Sequence, residues 1–157
     1  MKKQLSIIIL SGTLTFVTVA CTDNVESVSA SGNATNAMSK QNVTELKIID
    51  SLVGEGSKVR NNHRVAVHYT GWLYDDNAAD KKGKKFDSSF DRQRPFVFSL
   101  GNKDVIAGWE QGILGMKKGG KRTLIIPPEL GYGSRGAGSS IPPNSALVFD
   151  IELLQAG

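Results

Sequence analysis

The chain has one cysteine, Cys21, and two histidines, His63 and His68. A single thiol excludes an intramolecular disulfide and any cysteine-rich zinc site. Two histidines leave little for a metal centre or for Ser-His-Asp chemistry. Aromatic residues make up only 7% of the 157. The one apolar stretch, near the start, is broken by Ser11, Gly12, Thr13, Thr15 and Thr18, so it makes a poor permanent membrane span. Charge of one sign is scarce too: 19 Lys and Arg face 15 Asp and Glu, a net +4. Residues 1–20 hold Lys2, Lys3 and no acid, and setting them aside leaves 17 against 15. That balance does not suit a nucleic-acid binder, whose cations crowd one face. What remains is 39% apolar composition and length for one ordinary domain with a short appendage.

The appendage comes first. Residues 1–20 read as a signal peptide: two lysines, a short hydrophobic region, and the small residue Ala20 at the cut. Thr18-Val19-Ala20-Cys21 resembles the lipobox of bacterial lipoproteins, which implies a lipidated Cys21 at the mature N-terminus. Leu is usual three residues before that cysteine, and Thr18 stands there, so a plain secretory signal is the alternative. Residues 21–42 are rich in Ser, Asn, Ala and Thr, contain no aromatic residue, and cannot bury enough surface to offset their ordering entropy. They are expected to be a tether, and residues 43–157 the folded domain.

Within that domain the period changes to two. Leu46 and Ile48 mark a first strand, stopped by Gly54-Glu55-Gly56. Val65, Val67 and Tyr69 alternate with Ala66 and His68, and Phe96, Phe98 and Leu100 repeat the pattern. Leu124 and Ile126 form a fourth segment, and Leu147, Phe149, Ile151 and Leu153 a fifth. Alternation between turn signals predicts an antiparallel sheet. One segment departs: Val105, Trp109, Ile113 and Met116 are spaced four, four and three, a helical stripe with Gly108 and Gly112 as small residues four apart. The prediction is an α+β fold, an antiparallel β-sheet curled around one short α-helix. Residues 74–85 read as an exposed charged loop whose KKGKK run is a solvated tip or a partner-binding site. Residues 127–145, with Tyr132, Ile141 and several prolines, read as a long ordered connection.

Four motifs stand in order along this domain: VHYTGWL at 67–73, KKFDSSFDRQRPFVFSLG at 84–101, VIAGWEQGILGMKKGGKRTLIIPPELGYG at 105–133, and IPPNSALVFDIELL at 141–154. Together they resemble FKBP-type peptidyl-prolyl cis-trans isomerases over about 110 residues. The resemblance implies a shallow aromatic pocket between helix and sheet, and no cofactor or metal. It places Tyr69, Phe86, Asp87, Tyr132 and Phe149 as catalytic residues. It places Phe96, Val105, Ile106, Trp109 and Ile141 as substrate-binding residues. The implied roles are Trp109 as the floor, Phe96, Val105, Ile106 and Phe149 as walls, and the Ile106 N–H and Tyr132 hydroxyl as holders of substrate carbonyls. Tyr69, Phe86 and Phe149 would present ring edges to the rotating carbonyl, and Asp87 would orient Tyr69 or accept a polar hydrogen. Partners implied are proline-containing polypeptides and macrolides such as tacrolimus or rapamycin. Ala137, Ser140 and Leu130 depart from the eukaryotic pattern at the rim.

Taken without the resemblance, the same residues have plainer uses. Trp109 on a helical stripe is core material, Asp87 before Ser88-Ser89 forms turns, and the histidines are surface or sheet residues. Three functions follow from the two views: a membrane-tethered isomerase acting outside the cytoplasm, a peptide-holding module, and an adhesion lipoprotein. Retention of the whole pocket inventory favours the first. No upstream dimerisation helix is visible, so a monomer is expected.

Overall fold

A computed structural model describes residues 43–157. The signal, the lipidated Cys21 and the tether predicted for residues 1–42 lie outside the described residues. Six strands and one helix follow in chain order: β1 (Lys47–Leu52), β2 (Arg64–Tyr74), β3 (Lys82–Ser88), β4 (Phe96–Ser99), α1 (Ala107–Ile113), β5 (Lys121–Ile126) and β6 (Leu147–Ala156). They form one antiparallel sheet ordered β1-β5-β6-β2-β3. The eleven-residue β2 is long enough to serve two neighbours on one side. Its first half pairs with β4, from Arg64 opposite Ser99 to Val67 opposite Phe96, and its second half with β3. The predicted antiparallel sheet with one short helix is what the chain forms.

The alternation in β2 translates directly into two faces. Val65, Val67, Tyr69 and Gly71 point inward and are buried, while Ala66, His68 and Thr70 face out. On β6, Phe149, Ile151 and Leu153 join the same inner layer. Each such aliphatic residue fully buried contributes about 1.5–3 kcal/mol. The helix closes this layer with Trp109 and Ile113. It approaches closely because Gly108 and Gly112 carry no side chain: a Cβ on either would stand 2.5 Å from Ile126 Cγ2 or Leu124 Cδ1. Arg122 finishes the helix from β5, its Nη1 donating to the carbonyls of Gly112 (2.7 Å) and Leu114 (3.2 Å). These are two of the carbonyls a helix end leaves without partners.

One sequence expectation fails at residues 74–85. The segment is not an exposed loop throughout: a short turn joins the Asp75 N–H to the Lys81 carbonyl (3.0 Å), and strand β3 begins at Lys82. Of its lysines, Lys82 is partly buried against Asp150, while Lys81 and Lys85 pair with Asp76 and Asp91 at the surface and Lys84 stays exposed, as a solvated tip would. The strand escapes the pattern because KGKKFDS has no apolar alternation and lies at the sheet edge, where its pairing to β2 slips register twice. The long connection at 127–145 is ordered by backbone bonds. Two 3-10 turns, Pro128–Leu130 and Gly133–Arg135, lead to a bridge between Ala137 and Ile141, and the Asn144 N–H returns to the Gly133 carbonyl at 2.8 Å.

Candidate active site

Where α1 crosses the inner face, the sheet leaves a cavity of ≈ 320 Å³. Its walls come from every part of the domain. Tyr69 comes from β2, Phe86 and Asp87 from β3, and Phe96 from β4; Asp104, Val105 and Ile106 come from the approach to α1. Trp109 comes from α1, Tyr132 from between the 3-10 turns, and Phe149 from β6. Trp109, only 3% exposed, forms the floor. Tyr69 and Phe149 stand edge-on to it, with ring centroids at 5.0 and 5.2 Å and planes at 85° in both cases. Phe86 meets Phe149 at 5.5 Å and 87°. Edge-to-face pairs place positive ring edges against negative faces, each worth about 0.5–1.5 kcal/mol beyond burial. The rings therefore hold one another in fixed orientation around open space.

The polar side of the cavity is built on Asp87. Its carboxylate accepts hydrogen bonds from the Tyr69 hydroxyl, from Arg92 Nη1 and from the Ser88 N–H (2.8 Å). Arg92 Nη2 also donates to the Tyr69 oxygen at 2.7 Å, and the guanidinium carbon lies 5.6 Å from the Tyr69 ring centroid. Burial alone would raise the Asp87 carboxyl, but the Tyr69 hydroxyl and Arg92 outweigh it and hold the group below the ordinary carboxylate range. Burial, and then the hydrogen bond to Asp87, push the Tyr69 hydroxyl up to about 12. Burial and the Asp87 charge likewise raise Tyr132. Both phenols therefore keep their protons at neutral pH.

Three donors on residues lining the cavity lack an internal acceptor, one of them the buried Trp109 Nε1. The Ile106 N–H, just before the first turn of α1, makes no hydrogen bond among the described residues. Neither does the Tyr132 hydroxyl, on a side chain 39% exposed at the rim. The segment carrying Ile106 is fixed from both sides. Glu110 accepts from the N–H groups of Gly101 (2.6 Å) and Lys103 (3.0 Å), and Asp104 accepts from that of Ser99 (3.1 Å).

Nine of the ten pocket residues expected from the sequence line this cavity. Ile141 does not. Its side chain is buried in the main core and its backbone is bridged to Ala137. Phe98, which the sequence leaves as core, is buried behind Phe96 and Trp109. Sequence reasoning missed Arg92 and Asp104. Arg92 carried a faint signal, since an acid among aromatic residues needs a counter-charge and Arg92 lies five positions after Asp87. A larger depression of ≈ 440 Å³ opens on the outer face of the sheet, but its rim charges are already matched, Lys82 with Asp150 and Lys121 with Glu152.

Comparison with known proteins gives the arrangement a context. Residues 55–154 match the family model described as FKBP-type peptidyl-prolyl cis-trans isomerase. The FK506-binding protein of Neisseria meningitidis serogroup A is 49% identical over 110 residues, covering 70% of this chain and 94% of that protein. The peptidyl-prolyl cis-trans isomerase FKBP2 of Mus musculus is 52% identical over 98 residues, 62% of this chain and 65% of that one. Among solved structures, AtFKBP13 superposes with a TM-score of 0.62 at 41% identity, covering 71% of this chain and 93% of its own. FkpA from Escherichia coli does so with a TM-score of 0.62 at 44% identity, covering 72% and 48%.

Proposed function

From the premise that this chain belongs to the FKBP-type peptidyl-prolyl cis-trans isomerases and is an enzyme of that activity, we propose that the aromatic cavity is its active site and that its clients are proteins folding outside the cytoplasm. Rotation about a peptide bond faces a barrier of about 18–20 kcal/mol because resonance keeps the C–N bond planar. No bond is made or broken, so the catalyst must bind the twisted amide better than either planar isomer. The planar amide has the larger dipole and is better solvated by water; moving it into an apolar cavity removes that advantage.

The residues divide this work. The prolyl ring lies on the Trp109 indole between Phe96, Val105 and Phe149. The unpaired Ile106 N–H takes one substrate carbonyl and the Tyr132 hydroxyl another, fixing the chain on both sides of the rotating bond. Ring edges of Tyr69, Phe86 and Phe149 face the twisted carbonyl. Asp87 acts through Tyr69: with the phenol proton committed to the carboxylate, the ring is held at one angle. The observation that carries this assignment is the convergence of these aromatic rings from four strands and a helix, with the unpaired Ile106 N–H and Tyr132 hydroxyl on lining residues.

Residues 1–21 support the proposed location. A signal peptide ending at a lipobox-like cysteine puts the domain on a membrane tether through lipidated Cys21, with soluble secretion as the outcome if Cys21 stays bare. The relatives named FK506-binding proteins extend the proposal to tacrolimus as a ligand of the same cavity. Cis/trans exchange in an apolar-X-Pro peptide, followed with and without the chain and repeated with tacrolimus, tests the site. Acceleration abolished by the drug supports the assignment; a folded chain that binds peptide without accelerating exchange overturns it. Metabolic labelling with a fatty-acid analogue, compared with Cys21→Ala, tests the anchor.

A further inference from the structure

The inner face of β2 has a gap where a side chain belongs. Tyr69 and Gly71 point the same way, and the register places Gly71 between Phe149 on β6 and Asp87 on β3. Three adjacent strands normally set three side chains side by side at about 4.5–5.5 Å. Here the middle one is absent, and Phe86 and Phe149 lean over the vacancy to meet edge to face. A Cβ on Gly71 would stand 2.7 Å from Phe149 Cε1 and 2.8 Å from Phe86 Cζ, distances at which something must move. Conformation does not require glycine here, because its φ lies outside the positive range that L residues avoid. The β2–β3 ladder does shift register after Gly71, yet an alanine meets no backbone strain at that bulge. The obstruction is the two rings.

We infer that Gly71 is a positioning residue for the isomerase reaction: its missing side chain is the seat of the Phe86–Phe149 pair and sets where their edges meet the substrate. Phe86 and Phe149 both line the cavity, so a methyl group at 71 that displaces them changes the space left for substrate. The inference rests on the proposed role of the cavity. It does not depend on any property of the rim.

The test is a double-mutant cycle in the full chain, with kcat and KM for an X-Pro peptide and the aromatic proton resonances of Phe86 and Phe149 as readouts. Gly71→Ala is expected to lower kcat/KM about tenfold or more, mostly through kcat, since displacing reacting groups by about 1 Å costs up to about a hundredfold. Phe86→Leu vacates space into which Phe149 can turn, so adding Gly71→Ala to that variant is expected to cost no more than about twofold. An equal loss in both backgrounds, or no loss in either, overturns the inference. If Gly71→Ala does not fold but Gly71→Ala with Phe86→Leu does, the seat is supported; if neither folds, it is overturned. An unaltered chain without isomerase activity sinks the functional reading instead. The resonances then decide the placement alone: both ring sets shifting in Gly71→Ala while those of Phe98 hold still support it, and unmoved rings refute it.

Discussion

Replacing Asp87 by asparagine keeps the shape of the cavity and removes one charge. The carboxylate currently accepts from Tyr69, Arg92 and the Ser88 N–H. Hydrogen bonds to charged groups are worth about 1.5–3 kcal/mol. Asp87 and Arg92 have side chains 37% and 39% exposed, so solvent screening reduces this to about 1–2 kcal/mol. If that energy holds the Tyr69 ring at its catalytic angle, kcat/KM falls by about 5–30-fold, at about 1.4 kcal/mol per decade. Peptide affinity changes far less, because the Trp109 floor and the Ile106 N–H are untouched.

A spectroscopic readout accompanies the kinetics. Tyr69 titrates at about 12, raised first by burial and then by its bond to Asp87, with Arg92 acting the other way. In Asp87→Asn the raising effect of the Asp87 bond and charge is lost while burial and Arg92 remain, so the phenol pKa falls, visible as an earlier phenolate absorbance change in an alkaline titration. The sign at low pH follows from Asp87 itself. Its folded pKa is depressed, so its contribution is fully present above the ordinary aspartate value of about 3.9 and is lost as pH falls through the lower folded value. Wild-type turnover should therefore persist through the range where free aspartate protonates. Unchanged turnover in Asp87→Asn together with an unmoved Tyr69 titration would refute the role assigned to this network.

Three further outcomes are expected. Tyr132→Phe removes one neutral hydrogen bond of about 0.5–1.5 kcal/mol, so kcat/KM in the exchange assay drops about 2–12-fold; burial and the Asp87 charge raise the phenol, so its hydroxyl remains a donor above neutral pH and its loss contributes no fall in activity there. Gly112→Ala improves helix propensity by about 1 kcal/mol but forces a Cβ against Leu124 at 2.5 Å, and overpacking costs about 1–3 kcal/mol; the urea midpoint should fall, and a rise would show that α1 can lift off the sheet. Arg122→Met loses the bonds to the Gly112 and Leu114 carbonyls and to Asp50 from a side chain 10% exposed, destabilising the fold by about 2 kcal/mol in urea titration. The hydrogen bond from Arg122 outweighs burial and lowers the Asp50 pKa, so this pair stabilises the protein above the ordinary aspartate range and weakens as pH falls below it.

What the sequence disclosed, and what it hid, follows from how each feature is encoded. Strands β2 and β4 carry their faces in alternation because one side of each packs on the core; β5 and β6 do so over part of their length, with Ile125 and Val148 buried in a second, smaller cluster. Strand β3 has no such record: its place comes from pairing with β2, and its lysines find Asp76, Asp150 and Asp91, partners scattered along the chain. The cavity rings were legible because they sit in contiguous motifs. Arg92 stands in one of the same motifs but was not legible, since only the fold of the loop after β3 brings its guanidinium onto Asp87 and Tyr69.

Ile141 is the one expected pocket residue that does not line the cavity. The resemblance placed it as a substrate-binding residue; its backbone is bridged to Ala137 and its side chain is buried in the main core. A motif fixes which residue stands at a position, but the space around that residue is set by the fold. The same distinction explains Gly71. As a letter in a strand it reads as a weakness; its use appears only when two rings from neighbouring strands are found occupying the space it leaves. The cavity therefore depends on an absent side chain as much as on those present.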